Sequence, residues 1–278
     1  MKYGVHIALW MRSWQDDILP YLEEAARLGF DGCELSLLGM DEANVARLRG
    51  AATELGLELT CTTGLAAESD ITSDSEVVRE AGVHYLEWAI RTAAGLGSHL
   101  LTGVIYAPWG KRLMQERQLR WERSAEALKR VAPLARDLGV TLGVEAINRY
   151  ETDLVTTAAD AVRLADWVDE PNVGVLLDSY HLNIEEKSIG RALRDSASRL
   201  VHLHCVENDR GVPGSGHLPW GELFGALQEI GYDRWLTLEL FVQADEAVSP
   251  DLAIWRDIEA DPSEAARAGL AFLREQTL

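Results

Sequence analysis

Eight short apolar runs, each followed by a segment with the apolar spacing of an amphipathic helix, recur along this 278-residue chain. The runs are YGVHIAL (3–9), DGCELSL (31–37), LELTCTT (57–63), SHLLTGVIY (98–106), VTLGVEAI (140–147), VGVLLD (173–178), LVHLHCV (200–206) and WLTLEL (235–240). Runs apolar on both faces belong to a parallel sheet covered by helices, since a sheet with one wet face alternates apolar and polar residues. Helical stretches such as ILPYLEEAARLG (18–29), ANVARLRGAATELG (43–56), SAEALKRVAPLARDLG (124–139) and WGELFGALQEIG (220–231) lie between them. These end at Gly29, Gly56, Gly139 and Gly231, where a left-handed cap is wanted.

Eight β/α units without a Gly/Ser/Pro-rich linker predict an α/β fold, a (β/α)8 TIM barrel occupying residues 1–278 as a single domain. The stretch LAIWRDIEADPSEAARAGLAFLREQ (252–276) reads as an extra C-terminal segment: a short helix, a turn at Asp261-Pro262, and a final helix. An open doubly wound sheet is the alternative. No G-x-G-x-x-G follows any of the runs, so a nucleotide cofactor has no support.

The formal net charge of -19 argues against a phosphate-backbone partner, because nucleic-acid binding draws on cationic side chains. No apolar stretch reaches the roughly 20 residues of a membrane span, and MKYGVHIALWMRSW lacks the features of a secretory signal. The expectation is a soluble cytoplasmic protein with no membrane partner. Cys33, Cys61 and Cys205 are far apart and sit in or near apolar runs, which reads as small buried side chains rather than zinc ligands or disulfides.

In a TIM barrel the chemistry sits at the C-terminal ends of the strands. There the fifth run ends in Glu145 and the sixth in Asp178, while the seventh carries His204 and the eighth Glu239. Three carboxylates at one barrel mouth repel each other, by roughly 3 kcal/mol per pair at about 5 Å and an effective dielectric of about 20. The nearest strong cation in sequence is Arg149, and no lysine lies in or beside these runs. A divalent metal held by Glu145, Asp178, His204 and Glu239 resolves the conflict, and an oxygen-rich set suits Mn²⁺, Mg²⁺ or Co²⁺. The alternative is pairing with arginines of nearby loops.

The loops after these strands carry Glu151, His181 and Arg210, which could bind the hydroxyls of a polyol. GVPGSGH (211–217) is a weak candidate for a phosphate cradle. His202 shares a strand face with His204 and is expected to pack in the core.

GVEAINRYE (143–151), VLLDSYHLNIEE (175–186), HLHCVENDRGVPGSGHLPW (202–220), and LELF with IWRDI (238–241, 254–258) resemble the ketose 3-epimerases. These are the D-tagatose and D-psicose (D-allulose) 3-epimerases among the xylose-isomerase-like barrels. The resemblance implies that Glu145, Asp178, His204 and Glu239 bind the metal, with Mn²⁺ first among the candidates. It also implies that Glu151, His181 and Arg210 contact the sugar near C1 to C3, that Gly103 and Trp109 line the pocket, and that the enzyme is a homodimer or homotetramer. Three departures bear on the preferred ketose. His6 stands where relatives carry an aromatic residue, the loop APWGKRLMQERQ is shorter, and Gly211 and His217 replace basic residues.

Epimerisation at C3 needs two bases on opposite faces of the sugar. Glu145 and Glu239, three strands apart and roughly 135° around the ring, are the candidates. An aldose–ketose isomerase, a sugar-phosphate epimerase and a non-catalytic sugar-binding barrel remain the rival readings.

Overall fold

The computed structural model describes residues 1–110, 116–244 and 246–277. Its strands are β1 (Lys2–His6), β2 (Gly32–Ser36), β3 (Glu58–Leu65), β4 (Leu100–Pro108), β5 (Thr141–Glu145), β6 (Val173–Asp178), β7 (Leu200–Cys205) and β8 (Trp235–Leu238). They pair in parallel in chain order, and β8 closes onto β1, so the ring is complete. A closed ring leaves no unpaired strand edge.

Helices α1 (Leu19–Leu28), α2 (Val45–Leu55), α3 (Glu76–Leu96), α4 (Arg117–Asp137) and α5 (Ala158–Val168) follow the first five strands. Short helices α6 (Ser179–Glu185) and α7 (Ile189–Asp195) follow β6, and α8 (Trp220–Glu229) follows β7. The last helix, α9 (Pro262–Gln276), packs on α1 and on the β8–β1 seam. Gly29, Gly56, Gly139 and Gly231 all take the left-handed conformation expected at or beside the helix ends. None of the described helices is long and apolar enough to cross a membrane.

Of the differences from the sequence expectation, two have a visible cause. β1 stops at His6, whose Nδ1 accepts from the Ala8 amide at 3.2 Å and caps a single 3-10 turn, Ile7–Leu9. The helix expected at the start of 252–276 does not form. Its apolar spacing instead anchors Ile254 in the core and Ile258 against it, while the Ile258 amide bonds the Val242 carbonyl at 2.7 Å. Asp261 is the cap of α9: its Oδ1 accepts from the amides of Ser263 (2.8 Å) and Glu264 (3.1 Å), with Pro262 opening the helix. The expected shortening of the loop after β4 falls largely on residues 111–115, outside the described residues.

Aliphatic side chains usually fill the interior of such a barrel. Here the layer under the mouth is polar: Glu34, Thr60, His202 and Thr237 are each at most 4% exposed. Glu34 on β2 reaches His202 on β7, strands that are not neighbours in the ring, so the two meet only inside it. The three cysteines are buried and unpaired, as expected.

Candidate active site

Glu145 and Asp178 are the last residues of β5 and β6, His204 lies near the end of β7, and Glu239 follows β8 directly. Ligand atoms from all four lie within 4.8 Å of one another, and all four residues are buried. His204 Nδ1 is 3.3 Å from Glu239 Oε1 and 4.0 Å from Glu145 Oε1, yet it has no hydrogen-bond partner. A buried imidazole nitrogen without a partner, facing three carboxylates, is the donor set a divalent cation fits.

Without a cation the four groups are held in unlike states. Burial pushes the Asp178 carboxyl up to about 7 against the opposing pull of Arg210. Burial and the neighbouring Glu239 raise Glu145 well above the usual range. Burial acts the same way on Glu239, but His204 and Arg210 outweigh it and keep that carboxyl low. For His204, burial disfavours the charge while Glu239 and Glu34 outweigh it, so its pKa rises.

Glu34 escaped the sequence reading. It is fully buried, 2.6 Å from His204 Nε2 through Oε1, while Oε2 accepts from Thr60 Oγ1 at 3.1 Å. The signal was a carboxylate in the apolar run DGCELSL, in the middle of the strand rather than at its mouth. His202 is in the core as expected, but beside a charge: its Nε2 is 2.9 Å from Glu34 Oε2, off the hydrogen-bond line.

Arg210, not Arg149, is the cation at the cluster. Arg149 lies outside and pairs with Glu185 at 2.9 Å. Arg210 Nη1 donates to Asp178 Oδ2 and to Glu239 Oε2, both at 2.8 Å, and its guanidinium lies 4.0 Å from the Tyr180 ring centroid. Its backbone has φ +70°, a left-handed conformation costing a non-glycine residue about 1–2 kcal/mol.

That strain is held by Glu207, a second residue missed in the sequence. Its carboxylate accepts from the amides of Gly214 (2.9 Å) and Leu218 (2.8 Å) and from Trp220 Nε1 (2.8 Å). The segment considered as a phosphate cradle is therefore folded around the protein's own carboxylate. Three hydrogen bonds to one buried acid fix the loop, and the loop fixes Arg210.

His181 Nδ1 accepts from the Asn148 backbone amide at 3.1 Å, so a neutral ring carries its proton on Nε2. Burial lowers its pKa to about 4, which keeps the ring neutral. Nε2–H then faces the cluster, 3.8 Å from Asp178 and 3.9 Å from Glu145, and the 3.2 Å approach of Arg210 Nη2 sets two donors side by side. Glu151 accepts from Trp109 Nε1 at 2.9 Å and from Asn148 Nδ2 at 2.7 Å. Burial favours its protonation, but Arg210 and these bonds oppose it and hold the carboxyl low.

A pocket open to solvent is bounded by several of these groups, though not by Asp178 or His204. Glu145, Glu239, Glu151, His181 and Arg210 line one part, and His6, Gly103 and Trp109 line it as well, whereas Gly211 and His217 do not. Gly103 has φ +112°, and a Cβ there would stand 2.2 Å from the Thr63 carbonyl oxygen, so only glycine fits.

Residues 22–276 match the family model described as xylose isomerase-like TIM barrel. A D-psicose 3-epimerase from Agrobacterium fabrum is 34% identical, the match covering 99% of this chain and 98% of the relative. A D-psicose 3-epimerase from Ruminiclostridium cellulolyticum is 35% identical over 99% of this chain and 97% of its own. A crystal structure of a D-psicose 3-epimerase in the presence of D-fructose superposes with a TM-score of 0.94 at 34% identity, covering 99% of both chains.

Proposed function

The chain belongs to the xylose isomerase-like TIM barrels and, within them, to the ketose 3-epimerases, and on that premise we propose that it interconverts free ketoses epimeric at C3. The substrates are pairs of the D-fructose/D-psicose, D-tagatose/D-sorbose or L-ribulose type. The observation that carries the reading is the meeting of Glu145 and Glu239, from β5 and β8, in one pocket with the sugar-binding groups beside them.

Glu145, Asp178, His204 and Glu239 would hold a divalent cation, with Mn²⁺ preferred over Co²⁺ or Mg²⁺. When bound, the cation compensates the three carboxylates and supplies Lewis-acid polarisation of the ketose carbonyl.

The protein's own groups do the rest. Arg210 and His181 Nε2–H donate to substrate oxygens, and the ionised Glu151 accepts from a hydroxyl. Together they orient the C1 to C3 end of the sugar. One glutamate then removes the C3 proton to give the enediolate of the sugar, and the other returns a proton to the opposite face. Trp109 and Gly103 close the wall behind it. Glu207 occupies the amides a phosphate would need, which favours a free sugar.

The reading includes a cytoplasmic homodimer or homotetramer, for which Tyr150 (65% exposed) and Trp255 (75%) offer apolar surface. Incubation of the Mn²⁺-loaded protein with a panel of free ketoses and aldoses, resolved by chromatography, tests it. C3-epimeric ketoses are the expected products. Aldoses as products would make it an isomerase instead.

A further inference from the structure

We propose that the hydroxyls of Ser36 and Thr62 choose among ketoses by binding the part of the sugar beyond C3, and that His6 sets the donor Thr62 presents. The inference rests on the ketose 3-epimerase reading and adds the groups that discriminate between substrates.

The polar end of the pocket comes from β5 to β8 and their loops. The remaining wall is largely apolar, with Trp14, Leu38, Val104, Phe241 and Leu252 among its residues. Ser36 and Thr62 are set in that wall, opposite each other in the register of β2 and β3. They are 5% and 8% exposed.

Their hydrogen bonding is one-sided. His6 Nδ1 accepts from the Ala8 amide at 3.2 Å, which leaves the ring proton on Nε2. Nε2 lies 3.0 Å from Thr62 Oγ1, so the imidazole donates and the hydroxyl accepts. The hydroxyl proton of Thr62 then has no acceptor among the described residues. Ser36 repeats the pattern: its Oγ accepts from the Leu38 amide at 3.2 Å, and its own proton has no acceptor there. Two adjacent, nearly buried donors thus face the pocket from a wall with few other polar groups. A sugar hydroxyl oxygen satisfies them. An analogue lacking that oxygen strands a buried donor, the arrangement by which sites reject deoxy substrates.

The experiment compares kcat/KM for D-fructose and its 4-deoxy, 5-deoxy and 6-deoxy forms in the Mn²⁺-loaded wild type and in Thr62→Val, Thr62→Ser, Ser36→Ala and His6→Phe. Metal content and thermal melting are recorded alongside. The wild type is expected to lose about tenfold on at least one deoxy sugar. Thr62→Val or Ser36→Ala should lose a similar factor on D-fructose and nothing more on the matching deoxy form. Thr62→Ser keeps the hydroxyl and should retain the discrimination, while His6→Phe should fall between. Unchanged discrimination in Thr62→Val and Ser36→Ala, or an equal loss on all four sugars at normal metal content, overturns the inference. If the wild type converts no free ketose, the epimerase reading fails first, and the inference with it.

Discussion

Glu34 Oε1 stands 2.6 Å from His204 Nε2, which places an imidazole proton between them and turns Nδ1 toward Glu145 and Glu239. A carboxylate at the barrel's centre thus decides which nitrogen of His204 the mouth receives. A carboxylate behind a ligating imidazole also fixes the ring and raises its basicity.

Glu34→Gln should therefore weaken Mn²⁺ binding about tenfold, because Gln still accepts the proton but carries no charge. Titration calorimetry on the metal-free variant reads this directly. An affinity equal to wild type would reduce Glu34 to a packing role.

Exhaustive chelation should abolish activity and lower the Tm, with Mn²⁺ or Co²⁺ restoring both. The loss should grow with pH. Asp178, driven by burial to about 7, and Glu145, raised by burial and Glu239, have folded pKa values above their ordinary ones. Their contribution to stability is present below the ordinary carboxylate pKa and is lost as pH rises through the folded value. The Tm of the metal-free protein should fall between pH 5.5 and 8, and cation binding should release protons across the same window. A pH-independent gap between metal-free and metal-loaded Tm would speak against this cluster as the site.

Arg210→Lys should lower kcat by roughly a hundredfold with metal content unchanged, because one ammonium cannot hold Asp178 and Glu239 as Nη1 does and also offer a second donor, as Nη2 would, to a sugar oxygen. Glu151→Ala should behave alike. Wild-type kinetics in both would remove these residues from the sugar-binding wall.

Glu207→Ala strands the amides of Gly214 and Leu218 and the Trp220 indole N–H. The cost is about 2–4 kcal/mol, a Tm drop of several degrees for a chain of this size. Activity should fall further than stability explains, since the same loop holds Arg210 at its positive φ. A melt unchanged from wild type would contradict the clamp.

The barrel was legible because β/α alternation writes two periods into one chain, and all eight runs became strands. The four cluster residues were legible because they are polar side chains at the ends of apolar strands. Glu34 was not, since a carboxylate in mid-strand announces no partner and His204 is 170 residues away. Glu207 escaped for another reason: two of its three donors are backbone amides, which carry no sequence signature. Arg149 looked like the nearest cation because sequence distance was the only measure. In space Arg210 reaches Asp178 and Glu239, while Arg149 pairs with Glu185. LAIWRDI failed as a helix because a short apolar pattern also fits a chain strapped across a core.

The central claim is proton exchange at C3 by Glu145 and Glu239 from opposite faces. Turnover of a free ketose in D₂O by the Mn²⁺-loaded enzyme, followed by NMR of the products, tests it most directly. The account predicts deuterium at C3 of the epimerised sugar and none at C1. It also predicts that Glu145→Gln and Glu239→Gln each retain much of their metal and lose epimerisation, with one-sided C3 exchange surviving in at most one epimer per variant. Deuterium at C1 with an aldose product, or epimerisation that survives either substitution, would contradict it.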